Sequence, residues 1–326
     1  TNILEFADRP LISNEAKLLF STGSLYLGSK PWIIDIIDSP FCLSGNNYSL
    51  FMSNKKKLEK ILLQENCRKI IIAHETALSM FKKHFPYLIS KTVLVRPAVK
   101  TSSFFIDKNK YSKHENYQLL FVGSINNPID FYMKGGLEAI EVAEFLQNKG
   151  HSINLTIRCK LPEELRERVL NNKKIRLIEE RIPYEEIVKL YTQSDILLFP
   201  SHTYVLMVFL ESMYFGLPII SLDSYAVRDY VIDKETGFVV KRSDKYKFYS
   251  SPSYPVNLRT EEFFAEIKKG DYELVTRIAD KVLLLIKNPM LRKQMAEKAM
   301  LRARKVFSIE KRNADLKKVF DEALEL

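Results

Sequence analysis

Cysteine is scarce in this chain. Three thiols, Cys42, Cys67 and Cys159, lie far apart in 326 residues, with no Cys-x-x-Cys pair and no Cys/His cluster. That spacing excludes a zinc knuckle and a disulfide framework, and it fits a reducing, cytoplasmic location. Long apolar runs are missing as well. None reaches the eighteen or so residues of a membrane span, and the longest have the length of buried strands. Glycine numbers only ten. Neither a Gly-x-Gly-x-x-Gly fingerprint nor a Walker loop can be assembled from them, which excludes the common dinucleotide and P-loop sites. No Asp-x-Asp pair is present, so no metal and no cofactor is expected. The chain shows no internal repeat and no low-complexity segment.

Positive charge is plentiful and unevenly placed. The net charge is +10, and between Lys55 and Lys113 fourteen Lys/Arg face four acidic residues. Such a stretch is either a solvated basic face or an attraction for an anionic partner, an anionic membrane above all. Aromatics are not regularly interleaved with these charges, which makes nucleic acid an unlikely partner.

Nearly half of the residues, 46%, are apolar, enough for two domains with their own cores. The apolar runs alternate between strand and helix patterns. In the first third, Pro31–Asp38, Lys69–Ala73 and Thr92–Val95 read as buried strands, with helical spacing over Lys55–Gln64 and Ala77–Phe85. Residues 100–117 are polar and read as a linker. The pattern then restarts: Gln118–Val122, Ile153–Ile157, Ile175–Ile178, Asp195–Pro200, Pro218–Leu222 and Gly237–Val240 predict six strands with helices between them. Alternation of this kind predicts an α/β chain with parallel sheets. Residues 244–261 read as a surface loop, and the remainder as helical.

Two constellations carry chemistry. Phe121-Val-Gly-Ser124 ends a strand, and Lys134-Gly-Gly136 opens a helix. A helix start offers free N–H groups, glycine permits close approach and lysine adds a full charge, which together suit a diphosphate. The second constellation runs Ser194-Asp-Ile-Leu-Leu-Phe-Pro-Ser201, Glu211-Ser-Met213 and Gly216-Leu-Pro218. It resembles the donor domain of family-4 glycosyltransferases, whose strand ending in Pro-Ser is followed by a Glu-x7-Glu pair and a Glu-Ala-Met-Ala-x-Gly-x-Pro run. Tyr184–Tyr191, Gly237–Val240 and Phe307–Glu310 match the surrounding text, so the resemblance covers about residues 94–326.

The resemblance implies the GT-B fold: two Rossmann-like domains with parallel sheets facing a cleft, the first of them short. The expected division is 1–108 for the acceptor side, 109–310 for the nucleotide-sugar side, and 311–326 as a helix packing back on the first domain. It implies a retaining, metal-independent transfer of a sugar from a nucleoside diphosphate to a hydroxyl of a glycan or lipid-linked acceptor. Lys134 matches the lysine that binds the donor diphosphate, and Glu211 the second Glu, which holds the ribose hydroxyls. Gly123 and Gly135 match backbone positions near the phosphates, with Ser124, Leu206 and Met207 beside them. The pattern departs at three points. The first Glu is Thr203, the glycines after it are Tyr204 and Leu206, and the arginine expected after Gly123 is Ser124. Arg158 and Lys160, at the end of the neighbouring strand, are the expected sources of replacement charge. Asp38, or Asp35 near it, either orients an acceptor hydroxyl or serves a turn. His74 either faces the cleft or caps a helix. His202 is expected to touch the donor sugar or phosphate. The departures leave open a non-catalytic GT-B accessory subunit, and the basic charge leaves open a transferase acting on nucleic acid.

Overall fold

The computed structural model describes residues 15–99, 110–246 and 260–325, with the backbone of 7–8, 249–250 and 254–255. The chain divides into two compact units, Thr1–Ala98 with Val306–Leu326, and Val99–Lys305. The first boundary therefore falls at Ala98 rather than residue 108, and the second before Val306 rather than after residue 310. Most of the expected linker lies outside the described residues.

The first unit holds β1 (Ala7–Asp8), β2 (Leu19–Thr22), β3 (Leu25–Tyr26), β4 (Trp32–Ile36), α1 (Tyr48–Leu63), β5 (Cys67–Ile72), α2 (Glu75–His84) and β6 (Thr92–Leu94). A four-stranded sheet runs in the order β2-β4-β5-β6, all pairs parallel. β4 is buried along its whole length, as its run of Trp and Ile requires. Asn47 caps α1 by accepting from the Leu50 amide at 2.9 Å, so the helix begins seven residues before the apolar spacing suggested. β2 was not expected: Leu-Phe-Ser-Thr alternates between half-buried and exposed at a sheet edge and carries little apolar signal.

The second unit opens with β7 (Tyr117–Val122), α3 (Asp130–Met133), α4 (Gly136–Asn148), β8 (Ile153–Arg158), α5 (Arg166–Asn171), β9 (Ile175–Ile178), α6 (Tyr184–Gln193) and β10 (Ile196–Leu198). It continues with α7 (Met207–Tyr214), β11 (Ile219–Leu222), α8 (Val227–Tyr230) and β12 (Gly237–Val240). These six strands form one parallel sheet in the order β12-β11-β10-β7-β8-β9, a doubly wound sheet. The segment read as a loop contains a minimal antiparallel pair, β13 (Tyr249–Ser250) and β14 (Tyr254–Pro255). The helical tail is broken into α9 (Glu261–Ile267), α10 (Tyr272–Lys287), α11 (Pro289–Val306) and α12 (Ile309–Glu325).

α12 belongs to the first unit. Val319 and Ala323 are buried with Ile33, Ile71 and Val95 of the four-stranded sheet. Arg312 fastens the contact, donating to the carbonyls of Val95 (3.3 Å) and Arg96 (2.9 Å) and to Asp35 Oδ2 (3.1 Å).

In the second unit, a polar knot joins Lys110 to the ends of two helices. Its ammonium donates to the carbonyls of Tyr191 (3.1 Å) and Phe215 (3.3 Å). Loss of water pushes the Lys110 ammonium down to about 7, helped by Arg292 and opposed by Asp195. The unfolded chain titrates near the ordinary lysine value, so between about pH 7 and 10 it binds a proton that the folded state does not. Stability should therefore rise with pH across that window, with the burden fully present below about pH 7. Urea denaturation at several pH values is expected to show this rise in the natural chain and to flatten it in Lys110→Met.

Candidate functional site

In a doubly wound sheet, ligands gather where neighbouring strands send their connections in opposite directions, outside the strands' carboxyl ends. Here that place lies between β7 and β10. The connections leaving these two strands are stitched together. The His202 amide donates to the Met133 carbonyl at 3.0 Å. Lys134 Nζ donates to Thr203 Oγ1 at 3.1 Å and to the Tyr204 carbonyl at 2.6 Å. Gly135 has φ +79°, and a Cβ added there would sit 2.1 Å from the Pro200 carbonyl oxygen. Only glycine allows the start of α4 to pass so close under the loop after β10. Lys134 and Thr203, sixty-nine residues apart in sequence, thus meet in one contact.

Arg158 ends β8, the next strand along, and is half-buried. One Nη donates to the Gly123 carbonyl at 3.4 Å, and its Nε is buried without a partner. Glu211, on α7, is half-buried and accepts from the Tyr191 hydroxyl at 3.0 Å. Burial raises the Glu211 carboxyl, while the Tyr191 hydroxyl and the Arg158 charge pull it back down. Lys134, Thr203, Arg158 and Glu211 therefore come to one end of one sheet. Leu206 precedes α7 and Met207 begins it, the latter 44% exposed.

Other expected residues are placed differently. A Cβ on Gly123 would meet Cys159 Sγ at 2.5 Å, so packing against that thiol already demands glycine. Ser124 accepts from the Asn126 amide through its hydroxyl and from the Lys160 amide through its carbonyl. His202 lies deeper than its loop position suggests. Its ring is fully buried, with Nε2 2.7 Å from Oε1 of Glu138, itself 1% exposed, and it stands edge-on to Tyr246. A carboxylate buried on α4 needs such a partner, which turns the imidazole toward the interior.

In the first unit, Asp35 is buried and held by Arg312, and burial raises its carboxyl against that charge. Asp38 is half-buried, and the turn after it is capped by Ser39, which accepts from the Phe41 amide. His74 caps α2, its Nδ1 accepting from the Ala77 amide at 3.2 Å. Among the described residues, no three His, Cys, Asp or Glu side chains gather to hold a metal ion. No described helix is long and apolar enough to cross a membrane.

Residues 103–249, within the second unit, match the family model of glycosyl transferases group 1. No curated protein matches the chain by sequence. Solved structures share its fold. TarM of S. aureus is 14% identical with a TM-score of 0.61, over 90% of this chain and 51% of that one. The chain thus spans about half the length of TarM. Sucrose-phosphate synthase from Thermosynechococcus elongatus is 14% identical with a TM-score of 0.64, over 95% and 74%. Anabaena HepE, solved in complex with UDP, is 14% identical with a TM-score of 0.64, over 90% and 72%. The architecture is that of GT-B glycosyltransferases, α/β with a four-stranded and a six-stranded parallel sheet.

Sequence reading missed Tyr191 and Glu138. Tyr191 figured in the sequence only as the end of the Tyr184–Tyr191 segment. Glu138 could have been suspected, as a carboxylate amid Leu137, Ala139 and Ile140. Gly135→Ala combines a strained backbone with a clash against Pro200, and we expect it to destabilise the second unit by at least about 2 kcal/mol in denaturant titration.

Proposed function

We propose that the chain is a retaining, metal-independent glycosyltransferase that moves a sugar from a nucleoside-diphosphate sugar to a hydroxyl of a glycan or lipid-linked acceptor. The observation that carries this reading is the placement of Lys134 against Thr203 at the switch point of the second sheet, with the Arg158 charge acting on Glu211, inside the stretch that matches the glycosyl transferases group 1 model. The leaving group in such a transfer is a nucleoside diphosphate, and its growing negative charge is what the site must stabilise. Lys134 and Arg158 supply fixed positive charge, and the start of α4 supplies N–H groups aimed at the same side. Glu211 accepts the two hydroxyls of the ribose, a task suited to a carboxylate. Retention of configuration rests on the family-4 resemblance. The HepE complex with UDP supports a diphosphate donor.

A non-catalytic accessory subunit is the second reading. It is favoured by Thr203 at the first Glu position and by the contact of the Lys134 ammonium with the Tyr204 carbonyl. A thermal-shift screen of UDP, GDP and ADP with their sugars, with and without EDTA, separates the two. A shift indifferent to EDTA is expected, because a ligand that binds only the folded state raises its melting temperature. No shift with any of them would favour the accessory reading. Lys134→Ala should weaken both donor binding and turnover, and Glu211→Ala mainly nucleotide binding. Unchanged kinetics in both would remove the site.

A cytoplasmic location with peripheral membrane contact goes with a lipid-linked acceptor. Lys56, Lys57 and Lys60 of α1 and Lys82 and Lys83 of α2 are exposed, as are Met52, Leu63 and Tyr87. Each lysine near an anionic bilayer contributes about 1 kcal/mol. Co-sedimentation should therefore occur with phosphatidylglycerol-containing vesicles and not with neutral ones, and Lys56, Lys57 and Lys60 changed together to Glu should abolish it.

A further inference from the structure

A carboxylate binds a vicinal diol well only if its plane is fixed and its charge is kept. Glu211 sits on the first turns of α7, half-buried, with its carboxyl raised by burial. Left alone, such a group would rotate and would neutralise readily on acidification. One neighbour opposes both tendencies. The Tyr191 hydroxyl donates to Oε2 at 3.0 Å, while Oε1 takes no hydrogen bond among the described residues.

Tyr191 is itself immobilised. Its ring is fully buried and stacked on Phe215, with centroids 5.6 Å apart and planes 22° apart. The carbonyls of both stacked residues accept from the one Lys110 ammonium. The phenol is therefore anchored from its ring and from its backbone, and its O–H has one place to point. A buried phenol also needs a partner for its hydroxyl, so the contact is favoured from both ends.

We propose that Tyr191 is a positioning residue for donor recognition: it locks Glu211 so that Oε1 and the free lone pair of Oε2 face the ribose diol. This rests on the reading of Glu211 as the ribose ligand. A carboxylate has about four lone-pair sites, and one hydrogen bond from behind leaves enough for two hydroxyls in front. Tyr184 and Arg158 are the other titratable groups beside the carboxylate. The Arg158 charge helps hold it ionised, and Glu211 in turn raises the Tyr184 phenol behind the effect of burial.

The test compares a ribonucleotide with its 2′-deoxy counterpart. Calorimetric titration with UDP and 2′-deoxy-UDP, and with the GDP and ADP pairs, gives a ribose-to-deoxyribose affinity ratio. The natural chain should prefer the ribonucleotide. Tyr191→Phe keeps the ring and its stacking, and should cut that ratio about tenfold, the scale of one hydrogen bond to a charged group. It should also move the acid limb of ribonucleotide binding to higher pH, because Glu211 would then protonate more readily. Affinity for the deoxynucleotide should barely change, a split that mere loosening of the fold would not produce. In a Glu211→Gln background, Tyr191→Phe should have no further effect on the ratio, which keeps the test decisive if the single variant loses stability. A natural chain that binds the nucleotide but shows no ribose preference would remove Glu211 from the ribose. A natural chain with the preference, kept intact in Tyr191→Phe, would overturn the role of Tyr191 alone.

Discussion

Gly135 passes under the carbonyl of Pro200 with no room for a side chain, and the geometry of the second unit's site follows from that approach. It brings the start of α4 against the loop after β10. The contact fixes Lys134 beside Thr203 and sets the Met133 carbonyl under the His202 amide. Two connections leaving neighbouring strands are thereby held as one surface. The parallel sheet supplies the reason they meet: β7 and β10 are adjacent, and their chains depart to opposite faces.

Charge is distributed around this surface by depth. The His202–Glu138 pair is fully buried beneath it, where each partner removes the penalty of the other. Lys134, Arg158 and Glu211 lie half-buried above, available to a ligand. His202 and Thr203, neighbours in one short loop and both buried, thus take different partners, Glu138 and Lys134.

The fold was legible where the physics is local. Runs such as Leu119–Val122 and Ile219–Leu222 are buried on both faces of a parallel sheet and announce themselves as unbroken apolar stretches. β2, half-exposed at an edge with Ser and Thr in it, sends no such signal. Motif spacing marks Lys134 and Glu211, which the structure sets against Thr203 and Tyr191 respectively. The inward turn of His202 was not legible, since it depends on a carboxylate sixty-four residues away in sequence. Gly123 illustrates a different gap: its need to be glycine was visible, but the cause is the Cys159 thiol packed against it. Tyr191 was hidden because burial of an aromatic ring on a helix usually means core and nothing more.

The place of α12 has a consequence for how the chain is made. Val319, Ala323 and Arg312 complete a core whose strands were all synthesised before Val99. During translation, the Ile33, Ile71 and Val95 surface must wait uncovered while the whole of Val99–Lys305 leaves the ribosome. The nascent first unit therefore keeps an apolar face uncovered until α12 follows. Fusions placed on α12 would disturb the unit whose sheet is built from residues before Val99.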